Sequence, residues 1–462
     1  MVVGKSLGED KQSSSPGLAS FSNKLITAKD AVSIDQRLSL LILTQFFPPD
    51  FAATGQLIEE LAKQLGRQGV KVEVFTGQPN YAFKREDAPR LENVGLVSVR
   101  RSRLSRLFHG RIRGKALNGL LFAVRSILHL VRRSRSYDVV LVTTAPPFLP
   151  AIAYFANLLF KTQYICLIYD LYPDIAIELD VIRANHPIAR FWQFINKLVW
   201  RRAEQIIVLS DSMKQRVSDR CRGISDKISV IHSWSNEKQI VPIDKEENWF
   251  AKEHDLVDPF VVMYSGNMGR CHDISTLFHA ACLLKDEPVI FMCIGSGAKR
   301  DKLKADVAAY GLNNVRFLPY QEKTVLPYSL TASDLFIVSV ADGMESLVAP
   351  SKLYPAMATG RPIAAICPSR SYLNGLLKTA DCGASFENGE SQKLADYIRS
   401  LAHNRTEAQK VGASGRKYLE ANFTPELISH QYLSVIRSAI SANKPRRALK
   451  LPRMKVRPHP LE

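Results

Sequence analysis

Short apolar runs bounded by Gly, Pro or polar turns alternate along this chain with stretches whose apolar residues recur at helical spacing. LSLLILTQF, from Leu38, is a continuous apolar run suited to a strand buried on both faces. A Pro-Pro turn and Gly55 follow, then QLIEELAKQLGRQG predicts an amphipathic helix stopped by glycine, and KVEVFTG the next strand. DVVLVTT, QYICLIYD, QIIVLS and ISVIHSW continue the strand series with helical segments between them, which predicts a parallel sheet covered by helices. After a polar stretch over 236–258 the rhythm restarts with PFVVMYSG, PVIFMCIG, NVRFLP, DLFIVSV and RPIAAICP. The predicted fold class is α/β: two tandem Rossmann-like domains facing a cleft, with the end of the helical run over 390–443 returning to the first domain. The expected boundaries are a disordered leader over 1–36, a first domain over 37–240, a second over 255–422, a C-terminal helix over 423–443 and a basic disordered tail over 444–462.

A composition of 46% hydrophobic and 23% charged residues excludes fibrous, collagen-like and wholly disordered readings. The net charge of +18 is concentrated: residues 100–137 carry eleven basic residues and no acid, and 444–462 carry seven basic residues and one Glu, so the remainder is nearly neutral. The first segment contains KALNGLLFAVRSILHLVRR, an apolar helix bracketed by arginines. It fits docking on an anionic membrane surface, or a core helix with a solvated basic rim. No reading motif accompanies the charge, so nucleic acid is not an expected partner. None of the seven cysteines forms a Cys-x-x-Cys pair, and Cys166, Cys293 and Cys367 lie in apolar runs, as reduced, buried thiols of a cytoplasmic protein would. The N-terminal residues lack the apolar core of a signal peptide, and the longest apolar stretch, 145–160, holds three prolines and is too short to cross a bilayer. Gly4-Lys5-Ser6 lacks both the earlier glycine and the preceding strand of a phosphate-binding P-loop.

In open parallel sheets ligands bind beyond the carboxyl ends of the strands, so the chemistry is expected in the strand-end loops. The loop over 45–55 brings small residues to a helix start where a phosphate or sugar could sit, although Pro48-Pro49 alone would also dictate an irregular turn there. In YSGNMGR, Gly266, Asn267, Gly269 and Arg270 precede a helix beginning near Asp273, so backbone donors, a positive helix terminus and a cation converge. Gly295-Ser296-Gly297 forms a second Gly-rich turn, but neither turn completes Gly-x-Gly-x-x-Gly, and a dinucleotide fingerprint is absent. Glu345 follows a buried strand, and Pro350-Ser351-Lys352 opens a helix ending at Gly360. A lysine has the wrong sign for a helix N-terminus and is favoured there if it faces an anion such as a diphosphate; otherwise it is a solvated surface lysine. Asp170 and Asp174 are two carboxylates at a strand end; either could act on a hydroxyl, and Asp174 could instead cap a helix. With no Asp-x-Asp and only scattered histidines, no metal site is expected.

Taken in order, FFPPDFAATGQ, VLSDSMKQRV, IHSWSN, YSGNMGRCHD, IGSGAKRDKL, NVRFLPY and GMESLVAPSKLYPAMATGRPI resemble the family 4 glycosyltransferases of the GT-B fold. The resemblance spans about residues 38–440 and is closest to the colanic-acid and O-antigen exopolysaccharide subgroup with Pro-Ser-Lys in the donor loop. It implies transfer of a sugar, with retention of configuration, from a nucleotide diphosphate donor to a lipid-linked glycan in exopolysaccharide or O-antigen-type biosynthesis. It further implies no metal or other cofactor; together with the basic segment over 100–137, it gives the expectation of a cytoplasmic enzyme peripheral at the inner face of the plasma membrane. By this resemblance Glu345 is the first glutamate of a Glu-x7-Glu motif and contacts the donor sugar, while Asp170 stands where relatives carry a histidine, as a sugar-binding or acid–base residue. Lys352, Arg270, Ser351 and Gly55 take donor-phosphate places, and Gly266, Asn267, Gly295, Ser296, Gly297, Leu318 and Tyr320 surround the nucleotide. The second glutamate of the motif is missing, its place falling on Leu353 or, with a longer loop, on Pro355. A nucleotide-sugar epimerase of similar fold and a non-catalytic nucleotide-sugar-binding scaffold are the alternatives.

Overall fold

The structure, a computed structural model, describes residues 38–50, 52–79, 88–102 and 112–441; the leader over 1–36 and the tail over 444–462 lie outside them. Among the described residues, two sheets are formed. The first contains β1 (Ser39–Leu43), β2 (Lys71–Thr76), β3 (Leu91–Val94), β4 (Val97–Arg101), β5 (Val139–Thr143), β6 (Tyr164–Ile168), β7 (Gln205–Val208) and β8 (Ile228–Val230), in the order β3-β4-β2-β1-β5-β6-β7-β8. The second contains β9 (Phe260–Ser265), β10 (Val289–Ile294), β11 (Val315–Leu318), β12 (Leu335–Ser339), β13 (Ile363–Ile366) and β14 (Gly383–Phe386), in the order β11-β10-β9-β12-β13-β14. All pairs are parallel except β3 with β4.

The continuous apolar runs become the sheet interiors: Leu40 to Leu43, Val139 to Val142 and Tyr164 to Ile168 are fully buried between helical layers. Chain direction fixes those layers, because parallel crossovers are right-handed. Steps outward from β1 to β2 and from β5 to β7 run in opposite directions, so helix Ala53–Arg67 covers one face while helices Ile112–Arg133, Leu149–Phe160 and Pro187–Arg202 cover the other. The helical run over 390–443 divides into Ser391–His403, Arg405–Asn422 and Pro425–Ser441. The last of these packs on helix Ala53–Arg67 behind β5 and β6, burying Ile428, Tyr432, Leu433 and Ile436, so the chain ends its fold in the first domain. Gln68 Nε2 donates to Ser429 Oγ at 2.7 Å across that seam.

Three strands escape the apolar pattern. β3 and β4 form a hairpin through Gly95, whose φ of +63° favours glycine. Its outer strand alternates exposure without an apolar run, and β14 is a four-residue edge strand. β4 also alters the picture of a uniformly basic segment. Arg100 Nε pairs with Glu73 at 3.1 Å, and Arg133 Nη1 pairs with the same carboxylate at 3.2 Å. Arg101 is buried, pairing with Glu92 at 2.5 Å and donating through Nη2 to Pro48 O at 2.7 Å. These three arginines brace β2, β4 and the loop after β1.

The chain crosses between domains twice, over 231–259 and near Phe423. The crossings are tied together: Ser235 N donates to Phe423 O at 3.3 Å, and the Phe423 ring meets Tyr354 and His232 edge-on at 5.1 and 5.3 Å. Inside the second domain, buried Lys245 donates to Asp334 Oδ2 and to Pro259 O, each at 2.7 Å, and Asp334 Oδ2 also accepts from Val261 N at 2.7 Å. Removing the carboxylate strands a buried ammonium and an amide, so Asp334→Ala is expected to lower the unfolding free energy by about 3–5 kcal/mol, read from the urea midpoint.

Candidate active site

Strand order reverses at β1, which has β2 on one side and β5 on the other, and again at β9, between β10 and β12. The loops leaving these switch points face each other across a cavity of about 530 Å³. The first domain contributes Phe46, the start of helix Ala53–Arg67, Ala145, Tyr169 and Asp170. The second contributes Ser265 to Asn267, Gly269 to His272, Tyr320 and the segment Val348 to Lys352.

Backbone pairing holds the two sides together. Leu171 N donates to Leu347 O at 3.1 Å, and Asp170 forms an antiparallel bridge with Val348. Ser212 Oγ donates to Glu345 O at 2.9 Å. Gly343, at φ +78°, leaves room for Glu178, whose Oε1 would lie 2.0 Å from any Cβ there.

Asp170 is set at the end of β6 by Thr144, whose Oγ1 accepts from Tyr169 N at 3.1 Å and from Asp170 N at 3.3 Å. Its carboxyl opens on the cleft yet is ringed by protein, and this desolvation raises its pKa to about 6. Burial first, and then the Asp170 charge, raise the Cys271 thiol to about 11. Asp174 is not at the cleft and its side chain caps no helix. It is buried, and its Oδ1 is gripped by Arg216 Nη2 at 2.7 Å and Arg220 Nη2 at 2.6 Å.

Lys352 caps the start of helix Leu353–Ala358. Its Nζ turns toward the first loop of the second domain, donating to Tyr264 Oη at 2.5 Å and Asn267 O at 3.2 Å and lying 4.0 Å from the Tyr264 ring centroid. Part of the side chain is open to the cleft, but the ammonium is enclosed and no carboxylate among the described residues pairs with it, so desolvation lowers its pKa to about 7. His272 is held neutral, burial and then the Lys352 charge lowering its pKa to about 3. Its Nδ1 lies 2.7 Å from Ser339 O, which assigns the proton to that nitrogen and leaves Nε2 an acceptor. Arg270 is exposed at the cavity and makes no ion pair among the described residues.

The cavity therefore brings together Asp170, Arg270, Ser351, Lys352, Gly266, Asn267 and Tyr320. Gly55, Gly295, Ser296, Gly297, Leu318 and Glu345 do not line it. Gly55 lets the helix start against the loop after β1, a Cβ there lying 3.1 Å from the backbone of Phe46 and Phe47. Gly295 and Gly297, at φ +128° and +145°, admit the neighbouring loop, since Cβ atoms there would lie 2.1 Å from Gly266 O and 2.5 Å from Met268 C. Met268 N donates to Ser296 O at 2.8 Å and Gly295 N to Leu318 O at 3.0 Å, so this turn braces the loop that reaches the cleft. Glu345 is buried, its Oε1 accepting from Arg370 Nε at 2.6 Å while Oε2 has no partner among the described residues. Leu353 is in the core and Pro355 lines the cleft, so neither supplies a second carboxylate. Sequence reasoning missed Tyr264 and Thr144, whose one signal is a hydroxyl ending an otherwise apolar strand. Among the described residues no cluster of His, Cys, Asp and Glu is placed to hold a metal ion.

A fold of two Rossmann-like domains with parallel sheets facing each other across a cleft is that of the GT-B glycosyltransferases. The "Glycosyl transferase 4-like domain" family matches residues 53–234 and "Glycosyl transferases group 1" matches residues 245–418; together they span most of the chain, which belongs to the group 1 glycosyltransferases. It is 24% identical over 372 residues to the probable glycosyltransferase WbjE of Pseudomonas aeruginosa, covering 79% of this chain and 86% of that protein. It is 24% identical over 422 residues to the putative colanic acid biosynthesis glycosyl transferase WcaI of Escherichia coli, covering 87% and 100%. Among solved structures, sucrose-phosphate synthase from Thermosynechococcus elongatus superposes with a TM-score of 0.70 at 17% identity, covering 88% of this chain and 100% of that one. Anabaena HepE in complex with UDP-glucose gives 0.63 at 14%, covering 87% and 100%.

A carboxyl whose pKa is raised on folding binds more protons in the folded state between its unfolded and folded values, so it costs stability as pH rises through that window. For Asp170 the window runs from 3.8 to about 6. Asp170→Asn is expected to raise the thermal midpoint at pH 7 relative to wild type, with the advantage vanishing near pH 4; an equal effect at both pH values would remove the raised carboxyl pKa.

Proposed function

We propose that the protein transfers a sugar, with retention, from a nucleotide diphosphate donor to a lipid-linked glycan in the building of an extracellular polysaccharide or O-antigen-type chain. The observation carrying this reading is Lys352: an enclosed ammonium in the cleft with no carboxylate partner among the described residues, beside Arg270, which makes no ion pair among them. An anion is the missing partner, and a diphosphate matches two cations and the uncapped first turn of helix Ala53–Arg67. HepE's complexes with UDP and UDP-glucose and the colanic acid assignment of WcaI support the donor class and the pathway class.

As the bond from the anomeric carbon to the diphosphate breaks, negative charge grows on the leaving oxygen. Lys352 and Arg270 stabilise it without reorganisation of water, which is how preorganised charge lowers a barrier. The acceptor oxygen bonds to the anomeric carbon from the same face, and its proton passes to the departing phosphate, so a separate base is not required and no metal is invoked. Asp170, largely ionised at neutral pH, accepts hydrogen bonds from sugar hydroxyls, as does Nε2 of His272. Glu345 Oε2 is a buried acceptor in want of a donor, and a donor-sugar hydroxyl would satisfy it if Arg370 yields on binding. Seven free cysteines, five of them buried, suit a reducing compartment, and we place the enzyme on the cytoplasmic side, where nucleotide sugars are available.

Thermal unfolding with UDP, GDP, ADP and dTDP should show one clear preference, since a ligand at a hundred times its dissociation constant adds about 2.7 kcal/mol. Lys352→Ala is expected to weaken the preferred nucleotide by about 1–3 kcal/mol, roughly 5- to 150-fold. The wild-type affinity should fall as pH rises from 7 to 9, because Lys352 with a pKa of about 7 must first be protonated, and Lys352→Arg should flatten that profile. An affinity indifferent to both substitutions removes Lys352 from the phosphate site.

A further inference from the structure

The helical layer formed by Ile112–Arg133, Leu149–Phe160 and Pro187–Arg202 has an outer surface that the transfer chemistry does not use. The three helices pack side by side, the middle one touching both others. Eleven of the twenty large hydrophobic side chains that are exposed among the described residues lie on them. On the first helix Leu120, Val124, Ile127, Leu128 and Val131 are exposed at spacings of three, four and seven residues, a single stripe along its outer side. On the second, Phe155, Leu158 and Leu159 face out, Leu159 at 72% exposure. On the third, Ile188, Phe191 and Phe194 repeat every three residues and are each more than half exposed. The remaining exposed hydrophobics are scattered over both domains, so this is a contiguous patch of the kind soluble monomers seldom leave bare.

Charge decides what covers it. The three helices hold nine Lys and Arg residues, namely Arg113, Lys115, Arg125, Arg132 and Arg133 on the first and Arg190, Lys197, Arg201 and Arg202 on the third, and not one Asp or Glu. Of the seven among them whose side chains are described, only Arg133 forms an ion pair among the described residues. Aliphatic and phenyl groups set on helices that carry many cations and no acid suit the headgroup and acyl boundary of an anionic bilayer. A protein partner would instead meet an interface core depleted of charge, and a second copy would bring cation against cation. No helix among the described residues is long and apolar enough to cross a membrane, so the contact is one of lying on the surface.

We propose that this three-helix face seats the enzyme on an anionic phospholipid surface, apolar side chains inserted and arginines at the phosphate level. The geometry links the face to the cleft: helix Leu149–Phe160 starts directly after the loop containing Ala145, which lines the cavity, and Phe148 of that loop packs under Gly119 of the first helix. A lipid-linked acceptor, on the reading proposed above, would thus enter the cleft from the membrane on which the protein rests.

The test is flotation of the full chain with vesicles of phosphatidylcholine alone and of phosphatidylcholine with about one-third phosphatidylglycerol. The anionic vesicles are expected to bind about tenfold better or more, with the advantage shrinking as salt rises. The triple substitution Leu128→Ser, Phe191→Ser and Phe194→Ser should lower binding about tenfold while leaving the thermal midpoint and its shift with nucleotide unchanged, as these side chains are already exposed. Absence of binding to anionic vesicles, equal binding to both compositions, or undiminished binding by the triple variant overturns the proposal. So does a wild-type dimer that the triple variant converts to monomers without any vesicle binding, which would make the face an interface between copies. Vesicle binding without any nucleotide shift would instead count against the transfer reading and leave the docking face standing.

Discussion

Parallel pairing puts the carboxyl ends of all strands but β3 on one edge of each sheet, and the rest of the molecule follows from how those two edges are set against each other. A parallel sheet must be buried on both faces, so helices take the faces and leave the edge as the one place where loops from several strands meet. The backbone link from Leu171 to Leu347 and the bridge between Asp170 and Val348 join the two edges directly. Asp170 and Lys352 occupy the same cavity because each stands within a few residues of that link.

Enclosure acts on both residues in the same sense and with opposite consequences. It lifts a carboxyl and lowers an ammonium, each toward neutrality near physiological pH. Neither has an oppositely charged partner among the described residues: Asp174 takes two arginines and Glu345 takes Arg370, while Lys352 meets only the Tyr264 hydroxyl and the Asn267 carbonyl and Arg270 makes no ion pair there. The site is thus electrostatically unfinished, with the ordinary ion pairs of the fold built just behind it. A donor carrying two phosphates would arrive at groups whose desolvation cost has already been met during folding.

Much of this was legible in the sequence, and the limits have physical causes. Strands buried on both faces, such as LLIL and VVLV, advertise themselves because burial demands unbroken apolar runs. The hairpin of β3 and β4 and the edge strand β14 do not, since an edge satisfies only part of its hydrogen bonds and one face. The strand-end loops could be named from topology alone, and Asp170, Arg270 and Lys352 emerged from that argument. What could not be read was which side chain another element had claimed. Arg100 and Arg101 looked like free surface charge until β2 and β3 supplied Glu73 and Glu92. Gly295 and Gly297 have the composition of a ligand turn, yet their missing Cβ atoms make room for the loop at Gly266 and Met268. Tyr264, an aromatic ending a buried strand, carried no sequence sign that its hydroxyl would meet Lys352.

The return of helix Pro425–Ser441 to the first domain has a consequence for the time course of synthesis. β8 leaves the ribosome with the first domain's strands complete but with one face of β5 and β6 uncovered, because its cover lies roughly 200 residues downstream. At ordinary elongation rates that interval is about 10–40 s. Through it the second domain, whose own elements are contiguous, can fold as a unit while the first stays incomplete. The nascent first domain is therefore the part of this chain most in need of a chaperone, and the last helix is the step that releases it.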